Sequence, residues 1–136
     1  MIIVGVGNPL KSDDNIGNIV AQKLKRGNTI IAEGNPESYV SKMRGERTVI
    51  FIDAVEFNGN IGEVRLFSPS DMMEVPGATH AVPVNFFKKM LPRTTIYVIG
   101  IQHKSVDFGE KLTPELEKLL PKILEDTEEL LSGIFP

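Results

Sequence analysis

Residues 2–6, Ile2-Ile3-Val4-Gly5-Val6, form an unbroken apolar run near the start of a 136-residue chain. Such a run is typical of a central strand that is buried on both faces, because a half-exposed strand would alternate apolar with polar residues. Beyond it, apolar runs alternate with helical patterns along the whole sequence. This alternation predicts an α/β fold with a mostly parallel sheet.

Four further strands are predicted, at residues 29–32, 48–54, 63–67 and 95–101. Residues 63–67 alternate in polarity and follow the turn pair Asn58-Gly59, which predicts an antiparallel edge strand. We therefore expect one domain over residues 1–136, in which helices cover both faces of a five-stranded sheet.

Four helical regions are predicted between these strands, at residues 16–24, 36–45 and 83–91 and from residue 114 onwards. Pro83 suits the first position of the third helix. Pro121 should kink or divide the last helix, because proline lacks an N–H to donate. The sequence predicts a long loop at residues 68–79.

The composition excludes several chemistries. The chain has no cysteine, which rules out thiol enzymes, iron-sulfur proteins and cysteine-ligated zinc folds. Its 15 basic and 18 acidic residues give a net charge of -3, which disfavours nucleic acid as a partner. The sequence has neither a signal-peptide pattern nor an apolar stretch of ~20 residues, so we expect a cytoplasmic protein without membrane insertion.

Polar residues that could perform chemistry follow the predicted strands. In open α/β sheets, ligands bind at the carboxyl ends of the strands, where the loops leave the sheet. Asp14 follows the first strand and Asp53 ends the third. His103 follows the last strand, and His80 lies on the loop before the third helix. Two carboxylates and an imidazole suit a divalent metal, which would polarise a carbonyl for amide hydrolysis.

Each of these residues also has a purely structural interpretation. Asp13 or Asp14 could cap a helix, and Asp53 could cap a turn. His80 could be a hydrogen-bonded loop residue, and His103 could lie on the surface. The sequence positions alone leave these alternatives open.

Two familiar motifs are not matched. In Gly5-Val6-Gly7-Asn8-Pro9-Leu10, Leu10 stands where a dinucleotide-binding loop has its third glycine, and Pro9 stiffens the turn. No serine lies in a Gly-x-Ser-x-Gly nucleophile elbow. A Rossmann cofactor site and a serine hydrolase are therefore disfavoured.

Four segments together carry a family resemblance. The first is Gly5-Val6-Gly7-Asn8-Pro9-Leu10-Lys11-Ser12-Asp13-Asp14-Asn15-Ile16-Gly17. The others are Ile52-Asp53-Ala54-Val55, Thr79-His80-Ala81-Val82-Pro83, and Ile99-Gly100-Ile101-Gln102 with Phe108-Gly109. In order and spacing they resemble the maturation endopeptidases of NiFe hydrogenases, whose opening motif is a Gly-x-Gly-Asn-x-Leu stretch followed by an acidic pair and a glycine.

The resemblance implies a function and a site. Family members cut a C-terminal extension from the precursor of the hydrogenase large subunit once nickel has been inserted. The resemblance implies that Asp14, Asp53 and His80 are the catalytic residues and that they bind the nickel carried by the substrate. No tightly bound resident cofactor is then expected. The residues predicted to bind substrate are Gly7, Asn8, Gln102 and His103.

Two details of the resemblance are open. Asp13 and Asp14 both fit the acidic position of the first motif, and we prefer Asp14. His103 stands where the family usually has proline, so a second imidazole either contributes to the site or replaces a turn residue.

Other functions compete with this interpretation. The opening motif also resembles peptidyl-tRNA hydrolase, but that family places a histidine soon after it, whereas the first histidine here is His80. A non-catalytic module that senses nickel and binds the precursor is a further alternative. We expect a monomer, because no large apolar stripe remains after the core is built.

Overall fold

The computed structural model describes residues 1–75 and 82–134. Strand β1 (Ile2–Val6) is buried along its whole length, as its unbroken apolar run predicts. It lies between β2 (Thr29–Glu33) and β3 (Thr48–Val55) and is parallel to both. The first strand of the sequence is thus an interior strand of the sheet.

The sheet is completed by two strands on the far side of β3. Strand β5 (Thr95–Gln102) pairs with β3 in parallel, and β4 (Val64–Phe67) pairs with β5 in antiparallel register at the sheet edge. The strand order is β2-β1-β3-β5-β4. The predicted single domain, with a mostly parallel five-stranded sheet and one antiparallel edge strand, is confirmed.

Helices cover both faces of the sheet, as expected. Helices α1 (Ile16–Leu24) and α5 (Pro114–Ile134) pack on the face that carries Ile3, Ile50 and Ile99. The opposite face, which carries Val4 and Phe51, is covered by α2 (Val40–Met43), α3 (Pro69–Met73) and α4 (Val84–Met90). Short 3₁₀ helices at Ser12–Asn15 and Pro36–Tyr39 precede α1 and α2.

The structure corrects the prediction of a long loop at residues 68–79. Helix α3 lies inside that range. It begins with a capping box, in which the Asp71 N–H donates to the Ser68 hydroxyl and the Ser68 N–H donates to the Asp71 carboxylate. This reciprocal pair satisfies two N–H groups at the helix start, so five residues suffice for one helical turn.

The structure narrows one prediction about proline and corrects another. Of the two outcomes predicted for Pro121, a kink or a division of the last helix, division does not occur, because α5 is continuous from Pro114 to Ile134. Proline has no N–H to donate to the carbonyl four residues earlier. Because Pro121 is exposed, water can donate to that carbonyl instead. Pro83 is the N-cap of α4 rather than its first helical residue.

Helix α1 sits unusually close to the ends of two strands. A Cβ atom on Gly17 would lie 2.0 Å from the Ile52 carbonyl oxygen and 2.4 Å from that of Val6. No side chain fits there, so glycine lets the first turn of α1 rest on the carboxyl ends of β1 and β3. The loop before α1 is therefore held directly above those ends.

Within residues 1–75 and 82–134, no helix is long and apolar enough to span a membrane.

Candidate functional site

Gly7 makes the turn that brings the chain back over β1. Its φ of +143° and the position of the Asp14 carbonyl oxygen, 1.8 Å from where a Cβ would be, both require glycine. The Gly7 N–H donates to the Glu33 carbonyl at 2.8 Å, which ties the turn to the end of β2. Residues 8–15 consequently pack against the carboxyl end of the sheet.

Asp14 lies in this turn with its side chain partly accessible. Its Oδ2 accepts a hydrogen bond of 2.8 Å from the Asn8 N–H. The Asn8 side-chain oxygen in turn accepts from the Leu10 N–H at 2.9 Å. The first bond orients the Asp14 carboxylate, which stays half-buried, and the second holds Asn8 in the turn.

Asp13 has a different environment, although it is adjacent in sequence. It is fully buried, and its carboxylate accepts bonds from the N–H groups of Lys104, Ser105 and Thr113 and from the Thr113 hydroxyl. Neither aspartate caps α1, whose N-cap, Asn15, makes no side-chain capping bond. Asp13 uses its carboxylate to hold the loop after β5, whereas the Asp14 carboxylate stays partly accessible.

Asp53 occupies β3 near its carboxyl end and is 1% exposed. It shares the sheet face of Phe51 and Val55, because alternate residues of a strand point to the same side. Its Oδ1 is buried and has no hydrogen-bond donor within the described residues. Such a carboxylate oxygen is costly to bury unless a partner arrives to satisfy it.

The two acids are close enough to influence each other. Burial raises the pKa of Asp53 well above its ordinary value of 3.8, and the negative charge of Asp14 raises it further. A hydrogen bond from the Ala54 backbone N–H offsets part of this effect. The structure therefore brings together Asp14 and Asp53, which are 39 positions apart in the sequence.

His80 lies outside the described residues, so its part in the site stays a prediction. The chain is described again from Val82, which is buried in the same cluster as Phe51 and Val55. Val82, the first residue described after His80, therefore packs on the sheet face that carries Asp53.

Gln102, predicted to bind substrate, uses its side chain inside the protein. Its Oε1 accepts from the N–H groups of Phe57 and Gly59, both at 3.0 Å. Its Nε2 donates to a Glu56 oxygen at 2.9 Å and to the His103 carbonyl at 3.0 Å. These four bonds organise the loop between β3 and β4.

His103 is half-buried and lies next to that loop. The pKa of Glu56 is lowered first by the Asn58 N–H and then by Gln102, with a smaller contribution from His103. His103 Nδ1 is buried and has no hydrogen-bond partner within the described residues. Binding of substrate by His103 therefore stays a prediction, as does binding by Gly7 and Asn8.

Asn18 is a supporting residue that the sequence reasoning missed. It is buried in α1, and its Nδ2 donates to the Gly7 carbonyl at 2.9 Å and to Asn15 Oδ1 at 2.8 Å. Its Oδ1 accepts from the Glu33 N–H at 3.2 Å. Its sequence context could have indicated this role, because asparagine is a poor helix former and Asn18 lies among the apolar residues of a predicted helix.

Carboxylates such as those of Asp14 and Asp53 can bind a cation and accept or release a proton. Within the part of the chain that the structure describes, no three His, Asp or Glu side chains are grouped to hold a metal ion. Asp14 and Asp53 supply two carboxylates, which is fewer than a divalent metal ion needs as ligands. Carboxylates of this kind suit divalent metals and can also act as general bases.

Comparison with known proteins points to one enzyme family. The family model HycI, described as hydrogenase maturation protease, matches residues 20–130. The hydrogenase 3 maturation protease of Escherichia coli K12 is 26% identical over 137 residues, covering 93% of this chain and 88% of the relative.

Two solved structures from Thermococcus kodakarensis have similar folds. The NiFe-hydrogenase maturation protease HycI superimposes with a TM-score of 0.74 at 28% identity, covering 96% of this chain and 91% of that one. The maturation protease HybD superimposes with a TM-score of 0.75 at 26% identity, covering 95% and 97% respectively.

Proposed function

This chain belongs to the hydrogenase maturation protease family, and we propose that it is the endopeptidase that removes the C-terminal extension of a NiFe-hydrogenase large-subunit precursor. The family assignment made from the sequence motifs is confirmed, and it supports peptidase activity in hydrogenase maturation. The precursor, its nickel and the residues that recognise it belong to the proposal.

We propose that Asp14, Asp53 and His80 recognise the nickel that the precursor carries. The observation that supports this most directly is the buried Asp53 Oδ1, which has no donor within the described residues and lies within the electrostatic influence of Asp14. Two carboxylates that repel each other bind a cation well, because the positive charge removes the repulsion. In this proposal the nickel arrives already bound to the precursor, so this protein needs to supply only a few of its ligands.

Nickel binding would also change the protonation of Asp53. Because the pKa of Asp53 is raised in the free protein, its carboxyl holds a proton more readily than an ordinary aspartic acid. An arriving divalent cation favours the ionised form, so the proton leaves as the metal binds. The charge state of the site then depends on whether the precursor contains nickel.

The hydrolysis itself requires a water molecule next to the scissile carbonyl. Its oxygen adds to the carbonyl carbon, the carbon–nitrogen bond breaks, and the departing amine takes a proton. Asp14 is the more accessible acid and is held by the Asn8 N–H, so it is suited to accept the proton of the attacking water. Nickel would polarise the carbonyl or the water.

The test is incubation of the purified protein with nickel-loaded precursor, followed by mass spectrometry of the large subunit. The wild-type protein should release the C-terminal extension, whereas Asp14→Asn and Asp53→Asn should each slow release by about 100-fold or more. Asp126→Asn is the matched control, because Asp126 pairs with Lys122 on the surface of α5. It should process the precursor at the wild-type rate.

Two results would contradict the proposal. An intact extension in a stable complex with the wild-type protein would indicate a binding module rather than a peptidase. Equal cleavage of precursors with and without nickel would remove the metal from recognition, even if the protein is a protease.

A further inference from the structure

Large apolar side chains are exposed at only a few places in residues 1–75 and 82–134. Three of the four are Leu10, Val106 and Phe108, which are 57%, 40% and 87% exposed. The fourth is Met73, at the end of α3. We call Leu10, Val106 and Phe108 the apolar platform, because they lie on two loops that are bonded to each other.

The two loops form one rigid unit. The Ser12 N–H donates to the Gly109 carbonyl at 2.8 Å, and the Gly109 N–H donates to the Leu10 carbonyl at 2.9 Å. The Ser12 hydroxyl donates to the Asp107 carbonyl at 2.7 Å. Phe108 therefore lies between two residues that are hydrogen-bonded to Ser12, although Phe108 itself is almost entirely in solvent.

Asp13 anchors the same unit from below. Its buried carboxylate binds the N–H groups of Lys104, Ser105 and Thr113, at both ends of the loop that carries Val106 and Phe108. A loop held this firmly loses little conformational entropy when a partner binds its side chains. Such preorganisation favours binding.

The platform is continuous with the candidate active site. The Leu10 N–H donates to the Asn8 side-chain oxygen, and the Asn8 N–H donates to the Asp14 carboxylate. Leu10 is thus separated from Asp14 by Asn8 alone in this chain of hydrogen bonds, so a polypeptide with its scissile bond at Asp14 can reach Leu10 and the Phe108 loop bonded to it. Exposed apolar side chains concentrated beside a catalytic group mark a surface that a partner covers.

We propose that the apolar platform binds apolar side chains of the large-subunit precursor in the segment next to the scissile bond. This inference rests on the proposed function and extends it, because it names the part of the precursor that the protein contacts apart from the nickel. Phe108 is the central contact, since an aromatic ring buries a large area on binding and has few rotatable bonds to immobilise.

The experiment measures cleavage of nickel-loaded precursor by full-length variants and separates KM from kcat. Phe108→Ala should raise KM about tenfold with kcat unchanged, and Leu10→Ala should raise it less. Phe108→Leu should recover most of the affinity, because it keeps an apolar side chain. Met73→Ala, which removes a similarly exposed apolar side chain from α3, should leave both constants unchanged.

Stability provides a check that the variants report binding. Since Phe108 is 87% exposed, Phe108→Ala should unfold at the same temperature as the wild-type protein. An unchanged KM for Phe108→Ala, or a lower kcat at constant KM, would overturn the inference while leaving the peptidase assignment intact. A wild-type dimer that Phe108→Ala converts to monomer, with KM unchanged, would also overturn it.

Direct binding of intact precursor separates this inference from the function on which it rests. If the wild-type protein binds the precursor without cutting it, the peptidase proposal fails. The platform is then judged from the dissociation constant alone, which should rise about tenfold in Phe108→Ala. No change in that constant would overturn the platform.

Discussion

Asp13 and Asp14 are the same residue type at adjacent positions, but their surroundings differ. Asp13 accepts hydrogen bonds from Lys104, Ser105 and Thr113, more than 90 positions along the chain. Asp14 accepts one from Asn8 and faces the site at the end of the sheet. Sequence spacing could not distinguish them, because the partners of Asp13 come close only in the folded chain.

The raised pKa of Asp53 predicts a pH-dependent effect of substitution. Between 3.8 and its folded pKa, the folded protein binds more protons at this residue than the unfolded chain does. The free energy of unfolding therefore falls as pH rises through that range. An asparagine side chain cannot ionise, so Asp53→Asn should gain stability relative to the wild-type protein as the pH is raised from about 3 to about 7.

Urea unfolding at several pH values measures this difference. The surface variant Asp126→Asn should show no comparable gain, because Asp126 is partly exposed and paired with Lys122. A constant difference between Asp53→Asn and wild type across the whole pH range would show that burial does not disfavour ionisation of Asp53. Asp53→Asn is thus expected to gain stability near pH 7 and to lose cleavage, which is the usual trade-off between stability and activity at a functional site.

At the scale of elements, the contact of α1 with the sheet depends on one glycine. Gly17→Ala would place a methyl group 2.0 Å from the Ile52 carbonyl oxygen, so α1 must move away from the strand ends. We expect a loss of about 3 kcal/mol in the free energy of unfolding, within the range known for overpacked sites. Because α1 follows directly from the turn that holds Asp14, cleavage should fall as well.

Gly133→Ala is the matched control in another helix. A Cβ at Gly133, near the end of α5, would contact no described residue within 4 Å apart from its chain neighbours and the backbone of its own helix. Alanine is the better helix former, so this variant should be more stable by about 0.5–1 kcal/mol. Denaturant unfolding measures the free energy of unfolding of both variants. Equal effects of Gly17→Ala and Gly133→Ala would mean that α1 does not lie in contact with the strand carbonyls at Gly17.

The element predictions succeeded where one residue pattern dominated. The unbroken apolar run of β1 predicted an interior strand, and the alternating run at residues 63–67 predicted the edge strand. Helix α3 was missed because it is too short to show a repeating apolar pattern, although Ser68 and Asp71 form its capping box. The unbroken α5 shows that packing of a long apolar face outweighs one exposed proline.

At the scale of the whole molecule, stability should be graded across the sheet. Strand β3 lies between β1 and β5 and is buried along most of its length. Strand β4 is at the edge, and only Phe67 of its four residues is fully buried. Amides of β3 should therefore exchange hydrogen at least about tenfold more slowly than those of β4.

Hydrogen exchange followed by NMR or mass spectrometry measures this gradient. Slow exchange confined to β1, β3 and β5 would identify them as the most stable part of the protein. Equal protection of β3 and β4 would mean that the sheet unfolds as one unit.

The sequence by itself determined the fold class, the family and the identity of the chemical groups. These depend on apolar periodicity and on short motifs, which are local properties of the chain. The tertiary structure alone decided which aspartate is buried in a structural network, that Gln102 bonds internally, and that Leu10 lies beside the Phe108 loop. Those outcomes depend on contacts between distant segments, and a carboxylate or an amide has its function set by the partners that folding brings to it.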